Sequence, residues 1–331
     1  MKMGGTMNKL IKIVEQFKNK KILVVGDVML DKYIWGEVSR ISPEAPVQVV
    51  NVVKESYAPG GASNAANNVA ALGAQVFMVG VVGKDSTKKK LVKELKTRNI
   101  DVNGLIDGEN KRTILKVRVI GRSQQLIRFD YEKKGYVDTK TENNILDFIS
   151  NKIDEIDAII VSDYAKGVIT KHLMEKLMTL CNKRNKIIVV DPKPKNKEFY
   201  RNATLITPNS IEAQQMSSFQ EEEFSDSDIE KIGKQLLEEL NSNILITKGE
   251  KGMSLFEKNG KTTSIPTFAK EVYDIVGAGD TVVASVALAL ASQASFEDAA
   301  IIANHAAGIT VGKVGTSTVS TEELKRSIEN G

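Results

Sequence analysis

Histidine and cysteine are scarce in this 331-residue sequence, which contains two histidines and one cysteine. The single cysteine, Cys181, excludes an internal disulfide and is typical of proteins in a reducing compartment. Together with His172 and His305 it supplies too few ligands for a zinc site. We therefore expect a cytoplasmic protein in which any metal is a hard ion held by carboxylates and phosphates.

Long apolar runs and concentrated charge are also missing. The apolar run 282–291 has about half the length that spans a bilayer, and residues 1–17 carry too many charges for a signal peptide. The net charge of +4 is spread along the chain, and its densest basic run, 88–90, has no aromatic residues between the lysines. We expect neither membrane insertion nor a nucleic-acid partner.

Short apolar runs alternate with helical patterns along most of the chain. Strands are predicted at 21–26, 77–82, 158–162, 186–190, 204–206 and 244–247, and helices at 63–72, 88–97, 141–151, 171–183, 211–216 and 228–240. This alternation predicts an α/β fold with a doubly wound, mostly parallel sheet flanked by helices. Ligands of such sheets bind beyond the carboxyl ends of the strands.

Two β-rich segments, 47–53 and 113–130, interrupt this pattern without intervening helices. They predict a small antiparallel sheet that projects from the main sheet as a lid, with strands from about 31–57 and 112–131. No repeat, low-complexity tract or proline-rich linker marks a boundary, so we expect residues 1–331 to form a single domain.

Residues 274–291, D-I-V-G-A-G-D-T followed by an alanine-rich run, place a glycine turn before an apolar helix. The glycines match neither a Walker A loop nor a dinucleotide fingerprint, because the lysine of the first and the third glycine of the second are absent. Exposed amides at a helix N-terminus can hold a phosphoryl group, and Asp280 can then accept a proton from a substrate hydroxyl. In that role a carboxylate of low pKa suffices, since proton loss comes late in phosphoryl transfer. On local pattern alone, a simple helix cap at Asp280 is slightly favoured over this catalytic role.

Four motifs in order resemble those of the ribokinase-like (PfkB) carbohydrate kinases. V-G-A-G-D-T at 276–281 resembles the second signature of that family, and P-G-G-A-S-N at 59–64 resembles the first. T-P-N-S-I-E at 207–212 is similar to its Asn-x-x-Glu magnesium motif, and T-K-G-E-K-G at 247–252 to its phosphate loop. The resemblance implies a ribokinase-like fold with a β-sheet lid, and it favours a catalytic Asp280 over a cap.

Further stretches resemble one subfamily, the D-glycero-β-D-manno-heptose-7-phosphate kinases of lipopolysaccharide core biosynthesis. They are 26–36, 40–47, 162–167 and 311–320. The resemblance implies ATP-dependent phosphorylation of the C1 hydroxyl of the heptose 7-phosphate. Since the sequence ends at Gly331, we expect a stand-alone kinase or the kinase part of an enzyme fused to a nucleotidyltransferase. The alternatives are a family kinase for another sugar or sugar phosphate and a non-catalytic sugar-binding regulator.

The resemblance also assigns roles on the sugar side of the site. Asp280 is the implied base, and Gly277, Ala278 and Gly279 supply the anion hole. The sugar hydroxyls are expected to meet Asp31, Gly60, Gly61 and Asn64, although a loop cap at Asp31 and a plain Gly-Gly turn capped by Asn64 are the alternatives. Lys166 and Arg128 are favoured for the 7-phosphate over Arg118 and Arg122, and each of these could be an ordinary surface charge.

The nucleotide side has its own candidate residues. ATP is expected to contact Asp191, Lys193, Asn209, Lys248, Gly249, Gly252 and Asn304. For Asp191 and Lys193 the alternative is a solvated loop. Asn209 and Glu212 are the candidates for Mg²⁺, directly or through water, with a helix N-cap as the alternative. His305 is expected to pack near the adenine pocket. K⁺ beside the anion hole is retained as a further ion, although Ile275 and Val276 stand where the family usually has two threonines. The family's lids also lead us to expect a homodimer formed through the lid strands.

Overall fold

The computed structural model describes residues 2–122, 124–219, 225–269, 271–313 and 317–331, with the backbone alone for residues 2–4 and 226. The strands are β1 (Lys21–Gly26), β2 (Val28–Ile41), β3 (Gln48–Gly61), β4 (Gln75–Val82), β5 (Ile100–Asp107), β6 (Ile114–Gly121), β7 (Gln124–Tyr131), β8 (Ala158–Ser162), β9 (Ile187–Asp191), β10 (Leu205–Ile206), β11 (Asn243–Thr247), β12 (Met253–Phe256) and β13 (Thr262–Ile265). The α-helices are α1 (Lys2–Glu15), α2 (Ala62–Ala71), α3 (Ser86–Lys96), α4 (Thr139–Lys152), α5 (Lys171–Lys183), α6 (Ser210–Met216), α7 (Asp226–Leu240), α8 (Ala278–Ala291), α9 (Phe296–Val311) and α10 (Thr321–Asn330).

The main sheet has nine strands in the order β13-β12-β11-β10-β9-β8-β1-β4-β5. Its pairings are parallel from β5 to β11, and β12 and β13 add an antiparallel edge. Successive residues of β1 pack into two separate cores, Ile22 and Val24 into one and Leu23 and Val25 into the other. A strand buried on both faces needs a continuous apolar run, so such runs identify the parallel strands. The predicted fold class is confirmed.

The strand order reverses at β1, which lies between β4 and β8. Connections leave the sheet in opposite directions at such a point and open a crevice beyond the carboxyl ends of the strands. Asp27 and Asp163 follow β1 and β8 at this edge, and both are fully buried. The loops that carry polar residues therefore meet here.

A second sheet has the order β3-β2-β6-β7 and is the lid sheet expected from sequence. The expectation that this sheet is antiparallel is wrong for its central pair, because β2 and β6 run parallel. Since β2 and β6 are not consecutive in the chain, no hairpin fixes their relative direction. The strands also extend beyond the predicted segments: β2 and β3 begin and end against the main sheet, at Val28 and Gly61.

Helix α8 is buried on all sides from Asp280 to Ala291. Its uniformly apolar sequence has no polar face, which is typical of a helix enclosed by other elements. It packs on α2 and α9 and against the main sheet at β8 and β9. The N-terminus of this rigid central helix faces the crevice. No described helix is long and apolar enough to cross a membrane.

Candidate active site

A cavity of about 210 Å³ lies between the lid sheet and the N-terminus of α8. It is lined by Met29, Asp31, Gly60, Gly61, Asn64, Lys116, Arg118, Tyr164, Val276, Gly277 and Asp280. The structure thus brings together six of the residues predicted for the sugar side, from three separate stretches of sequence. Lys166 and Arg128 do not line this cavity.

Asp280 is 6% exposed and accepts a hydrogen bond on each carboxylate oxygen. Asn64 Nδ2 donates to Oδ2 at 2.7 Å, and the Tyr164 hydroxyl donates to Oδ1 at 3.1 Å. Burial raises the pKa of Asp280 to about 6, and these two hydrogen bonds oppose the rise. The pKa of Asp280 is therefore higher than the low value that would suffice for a late proton transfer, because burial disfavours the charged carboxylate. A pKa just below neutrality suits a base that works near pH 7.

Asn64 has one polar atom to spare. Its Nδ2 is bonded to Asp280, while its Oδ1 is buried and accepts no hydrogen bond from any described residue. A buried acceptor without a partner costs about 1–3 kcal/mol, which a ligand hydroxyl would offset. Helix α2 is held in place by Thr281 Oγ1, which donates to Asn68 Oδ1 at 2.8 Å. The free oxygen of Asn64 is thus fixed beside the carboxylate.

The glycine turn before α8 forms an open helix N-terminus. Gly277 takes the left-handed conformation with φ 86°, and its carbonyl accepts the first helical hydrogen bond from Thr281 N at 3.1 Å. Ala278 N instead donates to the Ile275 carbonyl at 3.3 Å, so the amides that precede the helical ladder are those of Gly279 and Asp280. No heavy atom lies within 4 Å of a Cβ built on Gly279. The first turn of α8 is thus open at Gly279, beside the cavity that Gly277 and Asp280 line.

Asp31 lies on β2 and forms an ion pair with Arg118 of β6, with Nη1 and Oδ1 2.7 Å apart. A Cβ at Gly60 would stand 2.7 Å from Asp31 Oδ2, and Gly61 has a φ of 54°. The two glycines are therefore required by the close approach of β3 to Asp31 and by the backbone turn into α2. Arg118, which the sequence ranked below Arg128, is the arginine that reaches the cavity.

Arg128 and Lys166 lie on the lid side, outside the cavity. Arg128 is bound to Asp130, with Nε and Oδ1 2.9 Å apart, and its side chain is about half exposed. Lys166 Nζ donates to Glu132 Oε1 at 2.8 Å. With Lys111, Arg112 and Lys133, Lys166 lines a narrow recess of about 20 Å³. The pKa of Lys116 in the cavity is lowered mainly by burial and partly by the charges of Arg128 and Lys166, so all three cations share one region.

The nucleotide-side carboxylates lie next to Lys193. Asp191 is partly buried at the end of β9, and desolvation raises the pKa of its carboxyl group well above the usual range, while Lys193 forms an ion pair with Glu212. Asn209 and Glu212 form a capping box, in which Glu212 N donates to Asn209 Oδ1 at 2.9 Å and Asn209 N donates to Glu212 Oε2 at 3.1 Å. No group of three or more His, Cys, Asp or Glu side chains within the described ranges could hold a metal. Asn209 and Glu212 therefore form the helix N-cap that was the alternative to a magnesium site.

The remaining nucleotide-side residues lie on the turn after β11 and on α9. Gly249 has a φ of 58° with open space around it, whereas a Cβ at Gly252 would stand 2.1 Å from the Ile265 carbonyl. Lys248 lies between β11 and this turn. Asn304 is buried on α9 and donates to the Pro266 carbonyl at 2.7 Å. Of the two glycines, Gly249 has open space beside it and Gly252 does not.

His305 lines a groove of about 760 Å³ between α9, α10 and residues 267–273. Its ring stacks on Phe268 with centroids 3.8 Å apart, and Nδ1 lies 2.9 Å from Ser327 Oγ. Burial lowers the pKa of His305 to about 4, so the imidazole is neutral at physiological pH. His305 is thus packed in this groove as a neutral ring, and its place near the adenine pocket stays a prediction.

Tyr164 and Lys116 line the cavity but were not singled out from the sequence. Tyr164 belongs to S-D-Y-A-K-G, the stretch from which only Lys166 was chosen. The available signal was its place directly after a buried strand, where ligand-binding side chains gather. Lys116 and Arg118 are two residues apart on β6, so their side chains lie on the same face of the sheet. A sequence argument that considers Arg118 for the site should therefore consider Lys116 as well.

The fold and the site define a class: α/β proteins in which a carboxylate stands at a buried helix N-terminus under a β-sheet lid. The ribokinase of Arabidopsis thaliana, whose structure contains ribose and ATP, has this fold with a TM-score of 0.73 and 18% identity over 94% of this chain and 99% of its own. Phosphofructokinase-2 from Escherichia coli, in complex with potassium, gives a TM-score of 0.76 and 18% identity over 94% and 98%. The chain belongs to the pfkB family of carbohydrate kinases, whose pattern matches residues 19–323.

Curated relatives are more similar in sequence. The bifunctional protein HldE of Geobacter sulfurreducens is 44% identical over 307 residues, which is 92% of this chain and 62% of the relative. The bifunctional protein HldE of Helicobacter pylori is 45% identical over 306 residues, 92% of this chain and 65% of the relative. The chain thus spans slightly less than two thirds of the length of these relatives.

Proposed function

We propose that the chain uses ATP to phosphorylate the C1 hydroxyl of D-glycero-β-D-manno-heptose 7-phosphate to the 1,7-bisphosphate, in ADP-heptose and lipopolysaccharide core biosynthesis. The observation that best supports a kinase activity is the position of buried Asp280 at the open N-terminus of α8. Asn64 Oδ1 lies beside it without a hydrogen-bond partner among the described residues. The choice of acceptor is supported by the heptose-kinase-like stretches 26–36 and 162–167 and by the similarity to the HldE proteins.

The cavity suits the reaction as follows. The C1 hydroxyl oxygen attacks the γ-phosphorus of ATP, its proton passes to Asp280, and the bond to the β–γ bridging oxygen breaks so that ADP leaves with the electron pair. Asn64 Oδ1 and Asp31 accept hydrogen bonds from neighbouring sugar hydroxyls and orient the sugar. The amides of Gly279 and Asp280 hold the transferring group, and the lid sheet excludes water.

Two ions accompany the proposal. Mg²⁺ bound with ATP would offset the negative charge of the phosphates. Because Asn209 and Glu212 cap each other and Glu212 also pairs with Lys193, these residues fit an ion held by phosphates and water better than direct coordination. K⁺ would depend on backbone carbonyls, since Ile275 and Val276 offer no side-chain oxygen. Lys193, Lys248 and the open turn at Gly249 are the proposed contacts of the ATP phosphates.

A panel of acceptors tests the proposed substrate. With ATP and Mg²⁺, release of ADP should be fastest on D-glycero-β-D-manno-heptose 7-phosphate, and phosphorus NMR should show a new anomeric phosphate. Ribose, fructose 6-phosphate and fructose 1-phosphate are the matched comparisons. Faster turnover of one of these would favour another family kinase. Sugar binding without turnover of any acceptor would favour a non-catalytic regulator.

Lys166→Ala tests the binding of the 7-phosphate. We expect the KM for heptose 7-phosphate to rise roughly 10- to 100-fold with little change in kcat, because one charge-assisted contact of about 1.5–3 kcal/mol is lost far from the reacting hydroxyl. Steady-state kinetics measures this. The control is Lys171→Ala, which removes an exposed ion pair with Glu175 on α5. An unchanged KM in Lys166→Ala would leave the phosphate to Lys116 or Arg118.

The lid sheet is the proposed interface of a homodimer. Several apolar side chains are exposed on or beside its strands: Ile41, Val47, Val52, Val53, Ile127 and Phe129. Such a concentration on one small sheet is unusual for a surface facing water. Light scattering should give twice the mass of the chain, and Val53→Asp should reduce the measured mass towards that of one chain.

The proposed cytoplasmic location follows from the need for ATP and is tested by cell fractionation.

A further inference from the structure

Tyr164 has no role in the mechanism derived so far, yet its hydroxyl is bound to the proposed base. It donates to Asp280 Oδ1 at 3.1 Å, while Asn64 Nδ2 occupies Oδ2 at 2.7 Å. Burial, followed by the charge of Asp280, raises the pKa of the Tyr164 phenol well above its ordinary value. The phenol therefore remains a donor throughout the pH range in which Asp280 titrates.

The loop that carries Tyr164 is fixed by a buried carboxylate. Asp27 accepts hydrogen bonds from three backbone amides of this loop, Tyr164 N at 2.9 Å, Lys166 N at 3.0 Å and Val168 N at 3.0 Å. Binding alternate amides requires the backbone to turn between them, and Ala165 and Gly167 do so with φ values of 53° and 104°. The phenol thus has a rigid support on the end of β1.

We propose that Tyr164 is a positioning residue for the proposed phosphoryl transfer: it holds the Asp280 carboxylate towards the acceptor hydroxyl and stabilises its ionised form. The inference rests on the proposed function for the identity of the base. Asp27 acts through Tyr164, because it fixes the loop at the distance from α8 that this hydrogen bond requires. No atom of Tyr164 is transferred or changes its charge in the reaction.

Charges on the neighbouring elements make this donor necessary. Asp31 from β2 and Asp191 from the end of β9 both face Asp280 and favour its protonated form. Lys193 opposes them, but it is paired with Glu212, and Arg118 is paired with Asp31. Lys116 on β6 completes the charged lining of the cavity. The direct hydrogen bonds from Asn64 and Tyr164 are therefore the contacts that keep the buried base ionised near neutral pH.

Tyr164→Phe removes the hydroxyl and keeps the ring. Since the hydroxyl favours the carboxylate, its loss should raise the pKa of Asp280 and move the acidic limb of the kcat profile up by about one pH unit. At pH 6 kcat should fall roughly 5-fold, because the ionised fraction of Asp280 drops from about one half to about one tenth, while the loss should be much smaller above pH 8, and the KM for ATP should not change. The control is Tyr136→Phe, whose hydroxyl bonds to Asn196 at 3.2 Å rather than to the base.

A readout that does not need turnover separates this inference from the proposed function. The ¹³C shift of the Asp280 carboxyl carbon, assigned by comparison with Asp280→Asn, reports its pKa in the absence of any sugar. A raised pKa in Tyr164→Phe but not in Tyr136→Phe supports the inference, whichever acceptor the enzyme uses. An unshifted pKa, or a loss of kcat that is equal at all pH values, would overturn it and leave Tyr164 as a packing residue.

Discussion

Asp280→Asn is expected to fold, to bind ATP and sugar, and to lose between about 10²- and 10⁴-fold in kcat. The size of the loss follows from the contribution that general bases make to proton transfer. The change preserves the local structure, since the new amide oxygen can accept from Asn64 and the new amide group can donate to the Tyr164 oxygen. Removing a carboxylate whose pKa burial has raised to about 6 should not lower the melting temperature.

The pH dependence sharpens this prediction. Asp280 must be ionised to accept a proton, and its pKa is raised to about 6, so wild-type kcat should fall as the pH drops below about 6. The residual activity of Asp280→Asn should lack this limb. Asp31→Asn is the control, because it removes another buried carboxylate of the same cavity and should act mainly on the KM for the sugar. Wild-type kcat in Asp280→Asn would reduce Asp280 to a helix cap.

The predicted site residues that the structure brings together are those that belong to a local sequence pattern. Gly60, Gly61 and Asn64 meet Asp280 because two glycine turns each open a helix at the same edge of the main sheet. The sequence alone predicts a turn at the end of a strand. The family motifs then indicate which of these turns lie side by side in the folded protein. The burial that raises the pKa of Asp280 is not visible, because it comes from lid, loop and helix at once.

The choice between Arg118 and Arg128 shows what sequence could not decide. The two arginines are directly opposite on β6 and β7, so they share a face of the lid sheet. Of these two strands, β6 is an inner strand that pairs with β2, whereas β7 is an edge strand of the lid sheet. The parallel pairing of β2 with β6 joins segments distant in sequence, and it brings Arg118 to Asp31. Strand order, rather than residue type, decides which arginine enters the site.

Gly279→Asp distinguishes an anion hole from a simple helix start, because the two interpretations predict opposite consequences. Gly279 lies in the first turn of α8 with no heavy atom within 4 Å of the built Cβ, so a side chain fits. An acidic residue in a first turn usually stabilises a helix by 0.3–1 kcal/mol, and replacing glycine inside a helix adds to this. The melting temperature should therefore stay the same or rise.

Activity should move the other way. At a separation of about 4 Å and an effective dielectric constant of about 20, two like unit charges repel by about 4 kcal/mol, which corresponds to roughly a 10³-fold loss of kcat. Gly279→Asn has nearly the same shape without the charge and should lose far less. Equal losses in both variants would mean that the side chain simply blocks the cavity, and full activity in both would show that no phosphoryl group comes to this helix. A stabilised Gly279→Asp protein with almost no kinase activity, beside an active Gly279→Asn, is the result expected if the amides before α8 hold the transferring phosphate.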